Sequence, residues 1–350
     1  MKKARICLVF PHVVLGGGET AMMDVAEGLR GAFDLDVCAL DNAAAATERT
    51  IREELAERFG AAAFIRRRWE LRPRFRGADA VLWYGVVNAV PAVLAAMGRR
   101  PASVRVVHTD RAVDGPGFSR RWKPAIDRTI CVSPAAARRI RGALFIPNCC
   151  AGENLRGPRR EPFPPGRKTL GFLGRLVPLK NVPWLIGNVE TLGCNLLVQA
   201  LDTPLLSVAE LERQAVALGI EDRVRFLPPS RDVGTLLRSV DALAVVSTHE
   251  GFPRVVVEAG MAGTPVIATR VGALPELFPG EILFVEQEGD VPALESMRTA
   301  VARVDASWGH LLHEKVVRLC DRDAVVQRYA EVLQDAVRER SAPISLPPAA

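Results

Sequence analysis

The chain has 350 residues, 49% hydrophobic and 25% charged, a balance that fits a globular protein of about two domains. No run approaches the roughly 18 consecutive apolar residues of a membrane span, and seven scattered cysteines, odd in number, point to reduced thiols in the cytosol rather than a disulfide framework. A formal net charge of +6 favours anionic partners, nucleotide phosphates or anionic lipid among them, while 6% aromatic residues and two tyrosines leave little to stack single-stranded nucleic acid.

The start, MKKARICLVFPHVV, is basic and then apolar, but Pro11 and His12 break the run and no small-residue cleavage site follows. It reads as a buried strand over 4–10. A Gly-rich loop, PHVVLGGGE, leads into an amphipathic helix, TAMMDVAEGLRGAF. Then come a strand (LDVCAL), a helix (TERTIREELAERFG) and a short strand (AAAFI). Residues 66–76, RRRWELRPRFR, are densely basic. ADAVLWYG is a strand, VNAVPAVLAAMG a helix, and SVRVVHT a strand that ends near His108. RWKPAIDRTICVSPAAARRIRG gives helix, strand and helix, and ALFIPN closes this half. Alternating strands and helices predict a parallel sheet covered on both faces.

The composition then shifts. CAGENLRGPRREPFPPGRK has prolines, glycines and charges and no apolar period, so 152–168 reads as a linker after a first domain of 1–151. The rhythm restarts with KTLGFLG, a helix from NVPWLIGNVETLG, strand CNLLVQA, helix LLSVAELERQAVALG, strand RVRFLP, helix DVGTLLRSV and strand DALAVVS. A short helix after Pro253, strand TPVIAT and strand ILFVE follow. The second domain is expected over 169–315, a helix over 316–340 packs back on the first domain, and 341–350 is a Pro-rich disordered tail.

Three loops carry candidate chemistry. Gly16, Gly17 and Gly18 lie between the first strand and helix, where a backbone can approach a ligand and the helix amino end favours negative charge. The loop has neither the G-x-G-x-x-G of a dinucleotide site nor the G-K-[ST] of a P-loop. GFLGRLVPLKN places Gly174, Arg175 and Lys180 after a strand, two cations suited to a diphosphate, although surface cations are the plainer reading of this motif alone. In STHEGFPRVVVEAGMAGTPVIAT, Glu250 follows a buried strand and Glu258 lies two turns into the next helix. Each alone reads as a helix cap or a solvated acid; together, at the carboxyl edge of a doubly wound sheet, they can reach about 10 Å along one ligand.

In order along the chain, the GGGE loop, VVHTD, VSPAA, IPN, FLGRLVPLKN, RVRFLP and above all EGFP-x-V-x-x-EA with G-T-P-V-I resemble the retaining glycosyltransferases of the large group that has two facing Rossmann-like domains, the GT-B fold. The resemblance implies that Glu250 lies by the donor sugar and that Glu258 binds the ribose hydroxyls, as a carboxylate can accept both bonds of a vicinal diol. It implies that the backbone of Gly251, Phe252, Pro253, Arg254 and Val255 approaches sugar and diphosphate. Arg175 and Lys180, beside Gly174, would hold the diphosphate and stabilise it as it leaves. It places His108 on the donor sugar, Gly16 and Gly17 near the leaving phosphate, and Leu227 beside the base. No D-x-D stands in a suitable loop, so no metal or other cofactor is expected.

The expected reaction is transfer of a hexosyl unit from a UDP- or GDP-linked sugar to a hydroxyl acceptor, with retention, in a cleft that closes about the linker. Acceptors in this group range over glycans, lipids, antibiotics and small metabolites. Two departures stand out: Asn148-Cys149-Cys150-Ala151 replaces N-G-[VI]-D, and Pro228 replaces a glycine near the base. The basic segment, with Arg66, Arg67, Arg68 and Trp69, suits peripheral contact with the anionic inner membrane or equally a solvated loop. The alternatives are a nucleotide-sugar epimerase of the same fold and a non-catalytic sugar-nucleotide-binding protein. A Rossmann oxidoreductase lacks its fingerprint here.

Overall fold

A computed structural model describes residues 3–11, 15–41, 51–60, 62–85, 88–108, 120–152 and 155–341. The 47–50 part of the expected second helix, Thr109, Asp110 and the tail beyond 341 lie outside the described residues. The first half alternates β1 (Arg5–Phe10), α1 (Gly17–Leu29), β2 (Asp34–Leu40), α2 (Arg52–Phe59), β3 (Ala63–Ile65), α3 (Leu71–Arg76), β4 (Ala80–Tyr84), α4 (Ala89–Ala95), β5 (Ala102–Val107), β6 (Arg128–Cys131), α5 (Pro134–Arg139) and β7 (Leu144–Phe145). Its seven strands run in the order β3-β2-β1-β4-β5-β6-β7, all parallel. Alternation along β1 sends Ile6, Leu8 and Phe10 to one face, against Met22 and Met23 of α1, and Cys7 and Val9 to the other, against Leu71 and Phe75 of α3. Burial on both faces is why these strands read as unbroken apolar runs.

The second half repeats the plan with β8 (Thr169–Arg175), α6 (Val182–Asn188), β9 (Asn195–Leu201), α7 (Val208–Ala217), β10 (Val224–Leu227), α8 (Gly234–Arg238), β11 (Ala242–Val245), α9 (Arg254–Ala262), β12 (Val266–Thr269), α10 (Leu274–Leu277) and β13 (Leu283–Val285). The order is β10-β9-β8-β11-β12-β13, again parallel. After a small β-hairpin (287–292) come α11 (Leu294–Arg303), α12 (Ala306–Leu319) and α13 (Arg322–Ser341). In each sheet the winding reverses once, between β1 and β4 and between β8 and β11. Loops diverge at such a switch point and open a crevice.

The two halves share one core. Phe252, Val256 and Leu312 of the second domain join the cluster that holds Met22, Tyr84 and Tyr329. The chain returns to the first domain at Cys320–Asp321: α12 packs on α9, whereas α13 packs on α1 and β5. Residues of the expected linker are strapped to α8. Leu155 and Phe163 are buried, Arg238 Nη1 donates to the Gly157 carbonyl at 2.6 Å, and Arg160 N donates to Ser239 Oγ at 2.8 Å.

The basic segment folds as a short 3-10 turn and α3, with Leu71 and Phe75 in the core. Of its two aromatics only Trp69 is at the surface, 60% exposed, with the Arg67 guanidinium over its ring. Arg66 turns to Asp41 at 3.4 Å and Arg74 pairs with Asp36. The mixed basic and aromatic membrane patch expected of residues 66–76 is therefore reduced to one exposed tryptophan among arginines. No helix among the described residues is long and apolar enough to cross a membrane.

Candidate active site

Both switch points open into one cleft of about 940 Å³, within the size range of small-molecule sites. From the first domain come Gly16, Gly17, Gly18 and His108; from the second, Gly174, Arg175, Lys180 and the run from His249 to Val255, with Glu258. All the residues expected at the site line this cleft except Leu227. Leu227 lines a smaller neighbouring pocket with Phe226 and Pro228. Its place is taken by Pro229–Val233 and by Gln199, Ala200 and Leu201 at the end of β9.

Two helices aim their amino ends at this space. α1 begins at Gly17, within the glycine run, and α9 begins at Arg254; neither has a side-chain cap. The two starts meet, since a Cβ on Gly17 would lie 3.6 Å from Arg254 Cβ. Unsatisfied N–H groups and helix dipoles make such a meeting point favourable for an anion.

The cation loop and the first carboxylate are braced together. Thr248 N donates to the Leu179 carbonyl at 2.8 Å, and Asn181, at φ 54°, donates through Nδ2 to the Val246 carbonyl at 2.9 Å. This brings Lys180 Nζ onto Glu250 Oε1, which also accepts from Ser247 Oγ at 2.7 Å. Arg175 enters the cleft next to the glycine loop, with Nε 3.5 Å from where a Gly16 Cβ would be. Behind Glu250, Gly272 sits at φ 54°, and a Cβ there would come within 2.1 Å of the Gly251 carbonyl, which instead accepts from Ala273 N at 2.7 Å. Only glycine fits that support.

Glu258 is not a lone acid. Its Oε1 lies 2.7 Å from Arg254 Nη1, one helical turn earlier, and Arg254 Nη2 lies 2.7 Å from Asp24 Oδ2 of α1. All three are buried. Burial raises the Glu258 pKa, opposed by the Arg254 charge; burial alone would lower that of Arg254, but Glu258 and Asp24 outweigh it and raise it. Asp24 Oδ1 takes Arg58 at 3.0 Å, and its carbonyl takes Arg322 at 3.3 Å. Arg254, expected to contribute backbone only, is thus a buried charge that joins the domains. Cys150 Sγ lies 3.7 Å from Arg254 Nη2, and burial pushes the Cys149 thiol up to about 12, so neither cysteine is a ready thiolate.

His108 stacks edge-on against Tyr84 at 5.4 Å and sits over Gly18. Tyr84 donates to Glu19 at 2.9 Å. Desolvation lowers the His108 pKa to about 4, so the ring is neutral at pH 7, and Nε2 has no partner among the described residues. His249 Nε2 and Gln199 Oε1 in the cleft wall are likewise without one. Asn148, noted in sequence only as the survivor of an altered motif, donates to the Phe252 carbonyl at 2.8 Å and so pins the Glu250 loop to the first domain. Asp24 and Arg231 carry no motif in the sequence, yet Arg231 reaches Glu54 Oε1 at 2.7 Å and pairs with Glu57 at the cleft wall.

Residues 167–302 match the family model for glycosyl transferases group 1. The D-inositol 3-phosphate glycosyltransferase of Salinispora tropica is 32% identical over 203 residues, which is 53% of this chain and 42% of that protein. Its Mycobacterium bovis counterpart is 32% identical over 188 residues, covering 52% of this chain and 32% of that one. The matches therefore span less than half the length of these relatives. Among solved structures, Anabaena HepE in complex with UDP and glucose superposes with a TM-score of 0.73 over 95% of this chain and 99% of that one, at 18% identity. Sucrose-phosphate synthase from Thermosynechococcus elongatus does so at 0.72, over 96% and 100%, with 19% identity. Residues 167–302 of this chain thus resemble the group 1 glycosyl transferases, and as a whole the chain has the two-domain GT-B fold.

Proposed function

We propose that the protein is a retaining glycosyltransferase that moves a hexosyl unit from a UDP- or GDP-linked sugar to a hydroxyl acceptor. The observation that carries this reading is the meeting, at both switch points, of two uncapped helix amino ends with Arg175, Lys180 and the carboxylates Glu250 and Glu258. Positive ends and cations suit a diphosphate; the carboxylates suit hydroxyls on either side of it. The complex of the Anabaena neighbour HepE with UDP supports a uridine donor.

In the proposed step the acceptor oxygen attacks the anomeric carbon on the face the diphosphate leaves. The bond from that carbon to the phosphate oxygen breaks, and the nucleoside diphosphate departs with the electron pair. The acceptor proton passes to the leaving phosphate oxygen. Arg175 and Lys180 stabilise the charge that grows there, the role a metal ion fills in other transferases. Lys180 is shared with Glu250, which orients that carboxylate toward a sugar hydroxyl rather than leaving it free to attack carbon. Neutral His108 offers Nε2 as a hydrogen-bond partner to the sugar. A thermal-shift panel of nucleotide sugars tests the reading, since a ligand that binds only the folded state raises the midpoint. A UDP- or GDP-hexose should shift it and be turned over in the presence of EDTA with retention; no shift with any donor overturns the reading, and inversion or loss of turnover in EDTA overturns those parts of it.

A further inference from the structure

We propose that Arg254 is a positioning residue whose clamp by Asp24, across the domain junction, frees the Glu258 carboxylate to take the ribose of a nucleotide donor only when the two domains are together. The inference rests on the nucleotide-sugar reading above. Arg254 divides its planar fork between two acids: Nη2 to Asp24 Oδ2 and Nη1 to Glu258 Oε1, each at 2.7 Å. The row is sealed, with Asp24 fully buried and Arg254 7% exposed, so salt screens it weakly and each charge needs its partner.

Moving the domains apart removes Asp24 from Arg254. The guanidinium then has one acid within reach, and the favoured geometry of that pair is bidentate, with both nitrogens on both carboxylate oxygens. Glu258 would then have few lone pairs for a diol. Docking against α1 draws one nitrogen back to Asp24 and exposes an oxygen of Glu258 to the cleft. Asp24 is itself held by Arg58 at 3.0 Å and by Arg322 on its carbonyl, so it is a fixed anchor. It does not line the cleft, whereas Arg254 and Glu258 do. Asp24 therefore acts on ribose recognition from behind the cleft wall, through its bond to Arg254 and its charge near Glu258.

The test is calorimetric titration of the full chain with uridine diphosphate and 2′,3′-dideoxyuridine diphosphate, and with the guanosine pair. A hydrogen-bonded carboxylate should make wild type prefer the ribose form by about tenfold or more. Asp24→Asn should bring that preference below about threefold, as Glu258→Gln does, and the double variant Asp24→Asn/Glu258→Gln should lose nothing further. Arg254→Lys, which keeps the charge but cannot span both acids, should lose the preference likewise and serves if Asp24→Asn does not fold. A folded Asp24→Asn or Arg254→Lys protein with wild-type discrimination overturns the proposal while the nucleotide reading stands. So does a double variant worse than Glu258→Gln alone. If wild type binds neither pair, the nucleotide reading falls and takes this proposal with it.

Discussion

Arg175 and Lys180 reach the cleft from one loop, yet their surroundings differ. Lys180 already faces Glu250, and Arg175 lies against the glycine loop where α1 begins. A departing diphosphate gains charge in the transition state, so removal of both cations should lower turnover far more than binding. Arg175→Ala with Lys180→Ala is expected to cost at least about 10²–10³ in kcat, the scale of lost preorganised charge stabilisation. Normal turnover in that variant would refute the diphosphate clamp. His108 allows a prediction in pH. Its folded pKa, about 4, lies below the ordinary 6.5, so between those values the unfolded chain binds a proton that the folded one refuses. Stability is therefore full above pH 6.5 and falls as pH drops toward 4, by up to about 3 kcal/mol from this one group. Urea unfolding of wild type and His108→Phe across that window checks it; parallel pH profiles would show that His108 is not the source.

At the scale of elements, α9 carries Arg254 and Glu258, and its position is set by α12. Gly260 and Gly309 let the helices touch: a Cβ on Gly309 would come 2.1 Å from the Gly263 carbonyl, and one on Gly260 2.5 Å from Val316. His313 Nδ1 meets the Gly260 carbonyl at 2.9 Å. Gly309→Ala should force the helices apart, destabilise by about 1–3 kcal/mol, and weaken nucleotide binding through displacement of Glu258. An unchanged melting midpoint would remove that packing argument. The strands and helices were legible because parallel strands buried on both faces write apolar runs, as in DALAVVS around β11. The cleft residues from Gly16 to Glu258 were legible as motifs in loops after strands. The ionic frame behind them was not. Asp24 and Arg254 are 230 residues apart, and an aspartate after two methionines in an amphipathic helix carries no mark of the arginine that will cover it. The packing of the linker is illegible for a similar reason: a run of prolines and charges hides anchors as sparse as Leu155 and Phe163.

The whole molecule is held together at its cleft by two unlike sets of charges. The inner set, around Asp24, is sealed and links α1, α2, α9 and α13. The outer set is more open: Arg231, in the loop after β10, reaches buried Glu54 and exposed Glu57 of α2, 174 residues away from the latter in sequence. These pairs bridge the mouth of the cleft beside Pro229–Val233, so a nucleotide entering or leaving on that side must pass them. The exposed pair with Glu57 is worth about 1 kcal/mol or less and weakens with salt, and Glu54 keeps Arg58 as a second partner at 3.5 Å, which suits a contact that breaks and reforms. Arg231→Met should therefore leave the melting midpoint nearly unchanged while it lets the domains open more often. The expected signs are a larger radius of gyration by X-ray scattering in the unliganded protein and faster nucleotide release, both approached by wild type when salt is raised to about 0.5 M, where the Debye length falls below the span of the cleft. Because the sealed inner set does not respond to that salt, a wild-type protein whose dimensions and release rate ignore it, with Arg231→Met unchanged from wild type, would show that the inner row alone governs closure.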